Sequence, residues 1–264
     1  MGAHQKFDRV ARRHMTTLLA EKNAAFPSIG LILKFEGKNG PDGIKSKSPA
    51  QNEPWHYINP DDETDIGIFE IIQNHHDALA RALKAQDMPK AAFESAWLAH
   101  AVVDGLTPAH HFPYEQEVSK LRGGLPNETR TTLKSKIIMP GSTYREQLAN
   151  NWKMWGPKGL MTTHGLFEMG VAGLVKPLSL RDALPTKQDI HELQRLGLIE
   201  RFHQSVKDVA AQNLYIEYYK MGWTPKLAHK IRRDLAPIIV RAVTLAWYSA
   251  VLEASHHGKK KGKK

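Results

Sequence analysis

The sequence predicts an all-α protein with a single helical domain. Apolar side chains recur at helical spacing along most of the 264 residues, as Phe7, Val10 and Met15 do near the N-terminus. No segment has the apolar–polar alternation of a half-buried strand. The composition, with 41% hydrophobic and 24% charged residues, is globular, and a chain of this length can bury a sizeable core without disulfides.

The helices follow from the apolar spacing and from the residues that begin or end each run. Thr64 is the expected N-cap of the second helix, and Pro89 suits the first turn of the third. Pro177 and Pro185 mark a loop, and Pro225 interrupts the chain before the last helix. The expected helices span residues 5–24, 64–86, 89–106, 129–153, 160–174, 187–220 and 226–255.

One long segment, residues 26–62, is predicted to be a loop. Between residues 30 and 60 it contains eight glycines and prolines, which interrupt any long regular element. Loops of this length in compact domains usually carry functional residues. We therefore expect part of the functional site to come from this segment.

The charge and the residue counts restrict the chemistry. The formal net charge is +10 and the chain has no cysteine, which excludes disulfides, cysteine zinc sites and thiol catalysis. The fourteen histidines leave imidazole and carboxylate as the ligands for any transition metal. We expect the domain to span residues 1–257, followed by a disordered lysine-rich tail at 258–264. Without the five lysines of the tail the charge is +10 − 5 = +5, which still favours an anionic partner.

No apolar run reaches about 18 residues, so the sequence predicts no membrane-spanning segment. Its basic surface favours peripheral contact with an anionic membrane. The first residues also lack the apolar core of a signal peptide. Two interpretations remain open: a cytosolic protein, or a chain that begins after a signal has been removed.

The segment from Trp97 to His111 holds the sharpest chemical pattern. His100 and Asp104 lie four residues apart and therefore share one face of an otherwise apolar helix. Pro108 ends that helix, and His110 follows in the turn. Such a helix and turn can direct three metal ligands at one small volume, although an ordinary buried His–Asp pair also explains the helix.

Further histidines and acids strengthen the metal interpretation. His164 and Glu168 are again four residues apart, a known arrangement for divalent metals in helical bundles. His56, in the proline-rich loop, is followed by Tyr57, and Asp42 lies in the same loop. His4 opens the first helix. Each of these signals is weak alone.

With these residues the chain resembles the bacterial zinc-dependent phospholipases C, which are related to the single-strand-specific zinc nucleases of fungi and plants. The family signature H-x3-D-x3-P-x-H is matched by His100, Asp104, Pro108 and His110. The downstream H-x3-E pair is matched by His164 and Glu168. The other elements follow in the family's order, so the resemblance spans nearly the whole chain and implies a helical fold of the zinc-dependent phospholipase C and zinc nuclease type.

The resemblance implies two or three Zn²⁺ ions per chain. One ion would be held by His56, His100 and Asp104. The resemblance assigns His110, His164 and Glu168 to a second ion. His4 would help to hold a third, and Asp42 would bridge the first and third ions and orient or deprotonate a metal-activated water.

The implied reaction is hydrolysis of a phospholipid phosphodiester to diacylglycerol and a phosphorylated headgroup. Tyr57, His111 and Phe112 flank the implied ligands and are candidates for substrate binding. A nuclease and 3′-nucleotidase of the same fold is the first alternative, since single-stranded nucleic acid is also an anionic phosphodiester. A non-catalytic metal-binding protein is the second, and the absence of the family's N-terminal Trp favours it. The resemblance implies secretion or another extracytoplasmic location.

Overall fold

A computed structural model describes residues 2–20, 22, 24–48 and 56–256 of the chain. Within this described part the regular elements are all helical, and no β-strand occurs, so the all-α prediction is confirmed. The expected tail at 258–264 lies outside the described residues. The helices are α1 Ala3–Leu19, α2 Ile29–Ile32, α3 Pro41–Lys45, α4 Gly67–Lys84, α5 Met88–Gly105, α6 Tyr114–Leu121, α7 Leu133–Ile137, α8 Tyr144–Trp155, α9 Leu160–Val175, α10 Lys187–Leu196, α11 Leu198–Ala210, α12 Leu214–Met221, α13 Pro225–Lys230 and α14 Ala236–His256.

The last helix, α14, is the centre of the main hydrophobic core. It packs against α1, α4, α5 and α11. Trp247 of α14 is fully buried, and its indole Nε1 donates a hydrogen bond to the backbone oxygen of Ser95 on α5 at 2.9 Å. A buried indole needs such a partner because an unpaired N–H in the core costs free energy. This contact therefore fixes α5, which carries His100 and Asp104, against the core.

The helical segment around α14 has a composition that membrane-spanning helices share. Residues Pro225–Ser255 form one continuous helical run that contains a π-helical stretch at Ile231–Leu235, and by length and hydropathy one 18-residue window of it could cross a membrane. However, 67% of the most apolar window of this run is buried inside the protein. Burial of this kind is typical of the core helix of a folded domain, and we interpret the segment in that way.

Helix α5 is buried nearly all round, as its alanine-rich sequence predicts. Asp87 caps its N-terminus by accepting a hydrogen bond from the backbone N–H of Lys90. Pro89 lies in the first turn, where its missing N–H is not needed. After Gly105 the chain turns into a short 3₁₀ helix, Pro108–His111, as the proline predicts.

Several predicted helix bounds were wrong. The helix expected at 129–153 is divided into α7 and α8 around Pro140 and Gly141. The helix expected at 187–220 is divided into α10, α11 and α12, because Gly197 and Asn213 adopt positive φ angles of 82° and 52°. Thr64 is not the cap of α4, which begins after Ile66; its hydroxyl donates to Asp62 instead.

The described part of the segment predicted to be a loop contains two short helices, α2 and α3, and two 3₁₀ turns, Leu33–Phe35 and Gly37–Asn39. The backbone of α3 is held from outside, since the Lys136 ammonium donates a hydrogen bond to the carbonyl oxygen of Lys45. A helix of five residues is not stable on its own in water, so this tertiary contact helps to stabilise α3. Asp42 and Lys45 are therefore presented from an ordered element.

Close approach of two backbones also holds α3 in place. A Cβ atom at Gly43 would lie 2.1 Å from the carbonyl oxygen of Lys38. We expect Gly43→Ala to lower the free energy of unfolding by about 1–3 kcal/mol, because the backbone must move to relieve the overlap. Urea unfolding followed by circular dichroism measures this change.

The matched control for that substitution is Gly30→Ala in α2, where no atom lies within 4 Å of the added Cβ. This control should leave stability unchanged or raise it slightly, since alanine is the better helix former. Equal losses at the two positions would contradict the role assigned to the contact between Gly43 and Lys38.

Candidate metal centre

The centre begins on α5, where His100 and Asp104 share one face as their spacing predicts. The His100 Nε2 atom lies 3.3 Å from Asp104 Oδ2, and both residues are buried. His110 approaches from the turn that Pro108 begins, with its Nδ1 atom 3.6 Å from Asp104 Oδ1. The helix and the turn therefore direct three side chains at one small volume.

His4 and Asp42 complete the first group of potential ligands. His4 Nε2 lies 3.4 Å from Asp104 Oδ1, and its ring stacks on that of His100 with centroids 4.1 Å apart. Asp42 Oδ1 lies 3.6 Å from His100 Nε2, although the carboxylate is mostly exposed. The ligand atoms of His4, Asp42 and His100 all lie within 4.8 Å of one another, a separation that could hold a metal ion.

A second group joins α9 to the turn after α5. Glu168 Oε1 lies 3.0 Å from His164 Nε2 and also 3.0 Å from His110 Nε2. The rings of His110 and His164 stack almost in parallel, with centroids 5.1 Å apart. One carboxylate oxygen therefore contacts two buried imidazoles, and these three side chains could hold a metal ion.

Asp104 connects the two groups. Its Oδ1 atom lies 3.4 Å from His4 and 3.6 Å from His110, which belong to the first and second groups respectively. Its Oδ2 atom faces His100. The resemblance predicts that Asp42 bridges the first and third ions, and Asp42 lies in the group that holds His4 and His100. The carboxylate that lies between the first and second groups is that of Asp104.

The neighbouring histidines lower the pKa values of both carboxylates in the cluster. Burial raises the pKa of Asp104, but the neighbouring His100 and His110 outweigh burial and hold the pKa well below its usual range. Burial likewise raises the pKa of Glu168, and the hydrogen bonds from His110 and His164 more than reverse this effect. Both carboxylates are therefore ionised across the physiological pH range, as metal ligands must be.

The donor set fits a divalent transition metal. Imidazole nitrogens and carboxylate oxygens are the ligands that zinc prefers when no thiol is present. The ring Nδ1 atoms of His4, His100, His110 and His164 are buried and have no hydrogen-bond partner. Buried polar atoms of native proteins are normally paired, so these Nδ1 atoms mark a polar cluster that the described side chains alone do not satisfy. The nitrogens that face the two carboxylates are Nε2 of His4, His100 and His164 and both ring nitrogens of His110.

A cavity of about 260 Å³ opens beside both groups. His4, Asp42, Asp104, His110 and Glu168 all line it, so the cluster faces an accessible space. The remaining lining is mainly apolar and includes side chains from α1, α9, the π-helical stretch and α14, namely Phe7, Met169, Val171, Leu235 and Ile239.

His56 lines the same cavity but belongs to neither group of potential ligands. Its Nε2 atom accepts a hydrogen bond from the Lys45 ammonium at 2.7 Å. The segment that carries His56 is held to the turn after α5, because the Ile58 N–H donates a hydrogen bond to the carbonyl oxygen of His110. The structure thus brings His56 to the centre, as the sequence predicts, with its ring edge-on to that of His110 at a centroid distance of 5.3 Å.

The three predicted substrate-binding residues are not in the lining of this cavity. Tyr57 lies behind the second group, stacked on Tyr114 and edge-on to the rings of His110 and His164. His111 and Phe112 line a different cavity, of about 250 Å³. The His111 Nε2–H donates to the carbonyl oxygen of Gly105 at 2.9 Å, which is a structural contact, and burial lowers the pKa of His111 to about 4.

Three residues at the centre were not predicted from the sequence. Lys45 lines the cavity and contacts His56. Glu36 is buried, with its Oε2 atom 3.8 Å from His100 Nδ1. The third residue is Asp8, whose pKa is raised by burial and by the neighbouring Glu36. The spacing of Asp42 and Lys45, three residues apart, would have placed both on one face if α3 had been recognised as a helix. No sequence pattern marks Glu36 or Asp8.

A third group of potential ligands, His76, Asp77 and Glu253, lies between α4 and α14. Its histidine is engaged with the Ser249 hydroxyl at 3.1 Å. The histidine therefore packs against α14. We assign no ion to it.

Comparison of the chain with protein-family models, curated proteins and solved structures gives no match. What the centre can do therefore has to follow from its own chemistry.

Proposed function

We propose that the protein is a zinc-dependent phosphodiester hydrolase of the phospholipase C type. The observation that carries this proposal is the pair of imidazole–carboxylate groups that meet at Asp104 on the wall of one cavity. Two metal ions held close together are an arrangement that enzymes use to cleave phosphate esters, and two groups of ligands that share a carboxylate would hold two ions in this way. The resemblance of the sequence to zinc-dependent phospholipases C points to the same chemistry.

In this proposal the first group, completed by Asp104, and the second group each hold zinc. Bound zinc supplies Lewis acidity, which makes a water acidic enough to attack at neutral pH and offsets charge on the phosphoryl oxygens. The charge of two or three zinc ions exceeds that of Asp42, Asp104 and Glu168 together. The loaded centre is therefore positive and attracts a phosphodiester anion.

Two side chains of the cavity bind the substrate and accept the proton. Lys45 binds a phosphoryl oxygen, because its ammonium reaches the cavity beside the second group. The exposed carboxylate of Asp42 takes the proton of the attacking water, since it is the acid most open to solvent among the potential ligands of the first group. The water oxygen bonds to phosphorus, the bond from phosphorus to the glycerol oxygen breaks, and that oxygen takes up a proton to give diacylglycerol.

The apolar part of the cavity favours a lipid over a nucleic acid. Val171, Leu235 and Ile239 line the cavity together with the potential ligands. A nucleotide would place a polar sugar against these side chains, whereas a diacylglycerol moiety would bury apolar surface there. The positive charge of the chain attracts both substrates and does not separate them.

Metal analysis with paired assays tests the proposal. Purified protein supplied with zinc should hold two or three zinc ions per chain and should hydrolyse phosphatidylcholine faster than single-stranded DNA. Chelation should abolish hydrolysis, and restored zinc should recover it. Preference for single-stranded DNA would establish the nuclease instead, and stoichiometric zinc without either activity would establish a non-catalytic metal-binding protein.

The role of Lys45 gives a separate prediction. We expect Lys45→Gln to retain zinc but to lower kcat/KM by about 10- to 100-fold, because one charge-assisted contact to the phosphate is lost. Lys47→Gln is the matched control, since Lys47 is exposed and lies two residues away outside the cavity lining. Zinc content and steady-state kinetics measure both effects. Equal kinetics for the two variants would remove Lys45 from the site.

A further inference from the structure

Helix α8 exposes a stripe of large apolar and aromatic side chains. Tyr144, Leu148, Trp152 and Trp155 are 75%, 53%, 69% and 43% exposed. At 100° per residue these four positions fall within an arc of roughly 80° on the helix surface. Among the residues of α8 only Met154 is buried. The stripe is therefore turned towards solvent and not towards the core.

Helix α9 continues this surface. Apart from Glu168 and His164 of the metal centre, its sequence has no ionisable side chain, and Leu166 and Met169 are 42% and 64% exposed. Thr162, one turn before Leu166, donates a hydrogen bond to the carbonyl oxygen of Trp155 at 2.8 Å. The exposed side chains of α9 thus begin where those of α8 end.

We call these six side chains the interfacial face: Tyr144, Leu148, Trp152, Trp155, Leu166 and Met169. Among the described residues, 16 large hydrophobic side chains are exposed, and nine of them fall within the single segment 133–169. Isolated exposed apolar side chains are normal, but a concentration of this kind marks a surface that is covered in function.

The charges around the interfacial face identify what covers it. Residues 133–158 contain five basic side chains and a single acid, Glu146, which gives a local charge of +5 − 1 = +4. A second copy of the chain would bring the same positive charge and be repelled. Tyrosine and tryptophan prefer the boundary between water and lipid headgroups, and basic side chains beside them bind anionic lipids.

The interfacial face also reaches the metal centre. Met169 belongs to the face and lines the cavity, and it directly follows Glu168 in α9. A surface that binds through Met169 therefore lies next to the mouth of the cavity. This continuity connects the covered surface with the lipid substrate of the proposed function.

We propose that the interfacial face seats the protein on the surface of an anionic phospholipid bilayer, with the cavity opening towards the headgroups. This inference rests on the proposed function for its substrate, but the binding itself requires neither zinc nor turnover. It assigns membrane contact to α8 and α9.

Sedimentation of the full chain with vesicles tests the inference in the presence of a chelator, so that hydrolysis cannot alter the lipid. The vesicles contain phosphatidylcholine with about 30% phosphatidylserine. We expect Leu148→Gln combined with Trp152→Gln to weaken binding by at least about tenfold, because two large apolar contacts are lost. Ile66→Gln, another exposed apolar position outside the face, is the matched control and should bind like the wild type.

The same variants in a zinc-loaded assay separate this inference from the proposed function. The double variant should cleave the soluble diester bis(p-nitrophenyl) phosphate normally and lose activity only on vesicles. Unchanged vesicle binding by the double variant would overturn the inference, as would a wild type that does not bind anionic vesicles. Face-dependent binding without any diester hydrolysis would uphold the inference while refuting the proposed function.

Discussion

Replacing Asp104 by asparagine should remove zinc and activity together. The substitution keeps the size of the side chain and removes the charge that lies between His4, His100 and His110. We expect loss of at least one zinc ion per chain and a fall in phosphodiesterase kcat/KM of about 10³-fold or more, because metal-ion catalysis supplies several kcal/mol of the rate enhancement. Metal analysis and steady-state kinetics on the same preparation measure both losses.

Asp208→Asn is a suitable control for this change, since Asp208 is exposed on α11 and lines a different cavity, whose lining contains none of the potential ligands. It should retain zinc and turnover. Circular dichroism of both variants should match the wild type, because the amide introduced by Asp104→Asn can still pack where the carboxylate packed. Full turnover by folded, zinc-free Asp104→Asn protein would rule out the metal mechanism altogether.

The fold could be predicted from sequence to the level of its main helices. The bounds of α4, α5 and α9 were expected within about three residues of where they lie, because each combines apolar spacing with a clear break at one end. α1 was expected as a helix, but it ends at Leu19 and not at residue 24. The divisions at Gly197 and Asn213 were missed, since a left-handed residue inside a periodic run leaves the apolar pattern almost intact. α3 was missed because external contacts hold it.

The candidate site was predictable in two unequal parts. Helix geometry alone placed His100 beside Asp104 and His164 beside Glu168, because residues four apart share a face. The approach of α9 to α5 depends on tertiary packing, which residue spacing does not predict. Only the resemblance to a known family predicted it. Glu36 and Lys45 were missed for the same reason as α3, since both come from the segment that sequence spacing classifies as a loop.

Glu168→Gln should remove one zinc ion and tests whether the two groups are separate metal sites. The substitution removes the charge of the one carboxylate that contacts both His110 and His164. We expect the variant to hold one zinc ion fewer than the wild type while the first group keeps its metal, because Glu168 pairs with His110 and His164 and, among the described residues, no ion pair joins it to His4, Asp42 or His100. Phosphodiesterase kcat/KM should fall by about 10³-fold, since an incomplete centre cannot offset charge on both sides of the phosphorus.

The comparison that decides this point is between Glu168→Gln and Asp104→Asn in a titration with zinc. Glu63→Gln, at an exposed position before α4, serves as the control and should behave like the wild type. If Asp104 joins the groups, Asp104→Asn should weaken zinc binding at both, whereas Glu168→Gln should leave one tight site intact. Loss of all zinc in Glu168→Gln would mean that the two groups form one inseparable site, because the charge of Glu168 would then be needed by histidines it does not touch.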